Sequence, residues 1–61
     1  MTEETIEARI NAISNACAVL QEVRNGLDYE ETTYKDDIKA HDWLEKYLLK
    51  MERKYKKKLN N

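Results

Sequence analysis

A single glycine divides this chain. Gly26 is the only glycine and there is no proline, so the backbone has one obvious place to reverse. Before it, Ile6, Ile10, Ile13, Cys17 and Leu20 recur at alternating spacings of four and three. After it, Tyr34, Ile38, His41, Leu44, Leu48, Met51, Tyr55 and Leu59 repeat in the same way. Such spacings align side chains on one side of an α-helix. The fold class is therefore all-α: an antiparallel two-helix hairpin in one domain spanning residues 1–61. The expected elements are a helix over about 3–25, a turn over about 26–32 and a helix over about 33–57.

The local signals agree. Thr2 is placed to cap the first helix, and Glu3 and Glu4 suit the positive end of its dipole. Ile6, Ile13 and Leu20 form one heptad row, with Ile10 and Cys17 on the other. Arg24 interrupts the second row, where neighbouring Val23 is expected to substitute. Ala8, Ala12, Ala16 and Ala18 keep the helix slim. Asn25-Gly26 supplies a stop, with glycine expected in the left-handed conformation, and Leu27 is expected to fold back on the last turn. Two caps compete for the second helix: Asp28 with Glu31, and Thr33 with Asp36. The later start is favoured. At the far end, Leu59-Asn60-Asn61 are expected to fray.

The second helix carries a broad apolar face centred on Leu44, Leu48, Met51 and Tyr55. Ile38, Tyr34, His41 and Leu59 form one shoulder, Ala40 and Tyr47 the other. Trp43, beyond Tyr47, is expected to be half-buried. Two arms in 61 residues make a thin core, and folds this small usually need staples, metals or partners. One cysteine cannot form an internal disulfide, and one cysteine with one histidine falls short of a four-ligand zinc site. The pattern therefore predicts a homo-oligomer, most simply a dimer closing into a four-helix bundle. No cofactor is expected.

Charge separates sharply. Residues 1–31 hold seven acids against two bases, whereas residues 32–61 hold nine bases against five acids. Three readings of the basic half arise. Lys46, Lys50, Arg53, Lys54 and Lys57 can form a nucleic-acid surface by neutralising phosphates. Alternatively, antiparallel packing sets Glu3, Glu4 and Glu7 near Arg53, Lys54, Lys57 and Lys58, so the hairpin neutralises itself. A membrane surface is the weakest reading, and no run approaches the roughly 20 apolar residues of a membrane span. Only three of the eleven bases are arginine, which disfavours base-specific readout.

Catalysis has little to work with. Cys17, His41 and Asp42 are the only candidates; Cys17 and His41 read best as packing residues, and no catalytic or metal residue is assigned. No phosphate loop or nucleotide fingerprint occurs. The strongest partner-binding candidates are Trp43 and Tyr47 with Lys39, Lys46 and Lys50 around them, since exposed aromatics concentrate binding energy. The acidic, non-apolar N-terminus MTEETIEARI does not read as a signal peptide, and the lone Cys17 suits a reducing compartment. A cytoplasmic location is expected.

Two resemblances accompany this reading. Two helices of similar length joined at one glycine resemble the dimeric RNA-binding helical hairpins that control plasmid copy number. The stretch from Asp42 to Tyr55, together with the acidic start, resembles a small early-region protein of lambda-like temperate phages. The second resemblance implies a non-catalytic regulator acting through a host or phage protein in the host cytoplasm.

Overall fold

The computed structural model describes residues 1–60. Helix α1 spans Glu3–Asn25 and helix α2 spans Tyr34–Asn60. They lie side by side and antiparallel in a rod whose extents are 46 × 15 × 13 Å, one layer of two helices. The chain forms the expected hairpin, and α2 runs three residues beyond the end expected at 57. Leu59 and Asn60 are helical rather than frayed; the expectation for Asn61 lies outside the described residues.

Thr2 caps α1. Its backbone is extended, its hydroxyl accepts the Thr5 N–H at 3.2 Å, and its carbonyl accepts the Ile6 N–H at 3.1 Å. The hydroxyl thereby satisfies one orphan amide of the first turn, and the carbonyl accepts the first bond of the helix ladder. The other end corrects the sequence reading. Gly26 has φ −88° and ψ −2°, a right-handed helical backbone, and its N–H reaches the carbonyls of Glu22 and Val23 at 3.2 and 3.1 Å. The chain thus leaves α1 without a left-handed residue. Leu27 is half-buried and its N–H bonds to the Arg24 carbonyl at 3.2 Å.

The two competing caps divide the work of the loop. The Asp28 carboxylate accepts the Glu30 N–H at 2.9 Å and its carbonyl accepts the Glu31 N–H at 3.1 Å, which makes a turn instead of starting a helix. The Thr33 carbonyl accepts the Asp37 N–H at 2.9 Å, opening α2. The Thr33 hydroxyl donates to the Asp37 carboxylate at 3.0 Å.

The core is α1's heptad row. Ile6, Ile13 and Leu20 are buried, and they are the only buried residues among those described. Ile10 and Cys17 beside them are half-buried. No residue of α2 is fully buried: Ile38, His41, Leu44, Leu48, Met51, Tyr55 and Leu59 are all half-buried. The reason is width. One slim helix touches a single strip of α2, whose apolar face is broader than that strip. Leu48 therefore packs less deeply than its central wheel position implied. Val23 does not replace Arg24 in the seam; it is 50 % exposed. Arg24 keeps its place and is half-buried.

Polar contacts fix the register between the helices. Arg24 Nε donates to Asp42 Oδ1 at 2.9 Å near the loop, and the Gln21 amide donates to the Glu45 carboxylate next to it. Toward the open end, Arg9 Nη1 donates to the Tyr55 hydroxyl at 3.0 Å. A slip of one residue would break all three at once.

Candidate functional site

An exposed aromatic pair forms where α1 stops covering α2. Trp43 and Tyr47 are one helical turn apart, so their side chains stack along the helix surface. Their ring centroids are 6.3 Å apart and the planes 20° from parallel. Trp43 is 67 % exposed and Tyr47 53 % exposed. The half-buried position expected for Trp43 is thus corrected: it lies on the far side of Tyr47 from α1, beyond that helix's reach. The proximity of Ala40 leaves a shallow depression bounded by Ala40, His41, Trp43 and Leu44.

The candidate lysines surround this pair. Lys39, Lys46 and Lys50 are exposed. Lys50 also lines an open depression with Tyr47, Met51 and Lys54. A second open depression is bounded by Lys50, Arg53, Lys54 and Lys57 alone. Lys50 and Lys54 therefore join the aromatic pair to the basic end of α2, giving one continuous strip. Lys46 stands on the same outward side but borders neither depression.

These bases carry no intramolecular partner. Among the described residues the ion pairs are Arg24–Asp42 and Lys56–Glu52, the latter at 3.2 Å along α2. Glu3, Glu4 and Glu7 form none with Arg53, Lys54, Lys57 or Lys58, so self-neutralisation by direct contact is not realised. The nearest approach is a shallow depression shared by Glu7, Asn11 and Lys56.

Tyr55, His41 and Arg24 are engaged in structural contacts. Tyr55, read from sequence as core, holds Arg9 at 5.5 Å and Lys58 at 5.4 Å from its ring centroid, while its hydroxyl accepts from Arg9. His41 Nδ1 donates to the Asp37 carbonyl at 2.7 Å, which fixes the proton on that nitrogen. Burial raises the Cys17 thiol pKa above its ordinary value, and the charges of Glu52 and Glu45 add to the shift. A thiol so placed is less nucleophilic, the opposite of an activated cysteine. The hydrogen bond and charge of Asp42 raise the pKa of the Arg24 guanidinium. No hydrogen bond joins Cys17, His41 and Asp42, so the three catalytic candidates do not form one constellation. Among the described residues, no group of three or more His, Cys, Asp and Glu is placed to hold a metal ion, and no helix is long and apolar enough to cross a membrane.

Sequence reasoning missed the Arg24–Asp42, Gln21–Glu45 and Arg9–Tyr55 contacts. The turn alone did not give them: folding symmetrically about residues 26–33 would set Arg24 level with Lys35, several residues short of Asp42. No protein-family model matches the sequence, and no curated protein and no solved structure matches it.

Proposed function

We propose that this chain is a small non-catalytic helical adaptor or regulator that acts as a homodimer and binds a protein partner on the outward side of α2. The observation that carries the reading is the stacked, exposed Trp43–Tyr47 pair set among unpaired lysines. Rings in water lose little rotamer freedom on binding and bring large apolar area, which is why aromatics anchor interfaces. Lys39, Lys46 and Lys50 favour a partner surface that combines an apolar cleft with an acidic rim. The resemblance to early-region phage proteins suits a host or phage protein in that role, in the host cytoplasm.

A second reading has its own support. Lys50, Arg53, Lys54 and Lys57 line one depression with no acid among them, an arrangement that suits a phosphate backbone, with Lys46 alongside. Under that reading the resemblance to plasmid RNA-binding hairpins applies. Salt separates the two. Phosphate neutralisation predicts a log–log salt slope close to the number of phosphates contacted, whereas an aromatic anchor predicts weak salt dependence.

The test is Trp43→Ala. Capture of the partner from extract of the native host is expected to fall at least about tenfold, the loss of a hot-spot residue, while the melting temperature stays unchanged. Full capture by the variant, or a steep salt slope on RNA or DNA, would move the assignment to the basic depression.

A further inference from the structure

We infer that one flank of the hairpin docks against the same flank of a second copy, with the two-fold axis parallel to the helices, so that each α1 lies on the other copy's α2. This rests on the homodimer reading above and specifies its geometry: Tyr47 enters the seam between copies, and Trp43, farther round α2, stays open to the protein partner.

The polar contacts show which flanks share a face. Gln21 meets Glu45, and Glu7 and Asn11 border a depression with Lys56, so these five mark one side of the seam. At 3.6 residues per turn, Ala16, Val19 and Val23 lie across the seam of α1 from Gln21. Leu44, Tyr47 and Met51 lie across the seam of α2 from Glu45. The two sets therefore sit on one common face of the rod. Val19 is 59 % exposed, Val23 50 % and Tyr47 53 %, while Leu44 and Met51 are half-buried. A single hairpin with three buried side chains among the described residues leaves this face in water at a cost that a second copy removes.

Charge selects the orientation. At 3.6 residues per turn Glu4 and Glu22 fall on the side of α1 opposite its seam, and Lys39, Lys50 and Lys57 on the corresponding side of α2; all five are exposed. With the two-fold parallel to the helices, each acidic edge lies beside the other copy's basic edge. With the two-fold perpendicular to them, α2 stacks on α2 and the lysine edges meet, which is repulsive at distances within a Debye length. The parallel axis also keeps levels along the rod, setting Val23 against Ala40 of the other copy and Val19 near Tyr47.

The test uses two full-length chains in a Cys17→Ala background, one with Val23→Cys and the other with Ala40→Cys. Mixed under mild oxidation, they are expected to give the heterodisulfide in roughly tenfold excess over either homodisulfide, since pre-positioned thiols react at their effective concentration. Sedimentation equilibrium of the reduced Cys17→Ala parent runs alongside. A dimer giving homodisulfides, or no disulfide, overturns this arrangement and leaves the homodimer intact. A folded monomer overturns both. Val19→Glu provides a second arm, since Val19 lies outside the hairpin core. It is expected to give a helical monomer; an unaffected dimer overturns the assignment of the flank.

Discussion

Gly26 turns the chain with a backbone that any L-residue adopts. A Cβ built there would lie 3.6 Å from the carbonyl oxygens of Glu22 and Val23, an ordinary contact. Gly26→Ala is therefore expected to stabilise the fold by about 0.4–1 kcal/mol, through the smaller entropy of the unfolded chain. A destabilised variant in thermal melts would show that the left-handed conformation is needed after all. Cys17 gives a second residue-scale test. Its raised pKa means that the folded state favours the protonated thiol, so this contribution to stability is present below the unfolded pKa and is lost as pH rises through the folded one. Alkylation at pH 8 is expected to be slower in the folded chain than in denaturant. Equal rates would mean that the thiol is neither shielded nor shifted. The type of turn residue was legible in the sequence but its conformation was not, because Asn-Gly permits both hands.

At the scale of elements, both helices and the cap at Thr2 followed from periodicity and end signals. What periodicity cannot give is how much of a broad face one neighbour covers. The wheel puts Leu48 at the centre of the face and Trp43 past its shoulder, but not where the cover ends: α1 half-covers Leu48 and leaves Trp43 in water. Nor does periodicity reveal that Arg24, an apparent fault in the seam, reaches Asp42. The positions of the candidate lysines were readable as an outward stripe, but their lack of ion pairs depends on the register between helices. Ile13→Ala is expected to cost about 2–5 kcal/mol, the range for buried large-to-small changes. Leu48→Ala is expected to cost less in a single hairpin and to approach that range only where a second copy covers it. Melts at two protein concentrations check this: a Leu48→Ala protein as stable as the parent at both would mean that the seam of α2 is misplaced.

The whole molecule is one layer of two helices, and among the described residues the three buried side chains all come from α1. A core of that size rarely supplies more than about 3–5 kcal/mol in chains below roughly 70 residues. The exposed flank holding Val19, Val23 and Tyr47 and the charge division between the two helix edges argue that the folded unit is larger than one chain. Sedimentation equilibrium at micromolar concentration tests this most directly. The expected mass is twice that of the 7.3 kDa chain, with dissociation on dilution accompanied by loss of stability. A well-folded, concentration-independent monomer of 7.3 kDa would contradict it.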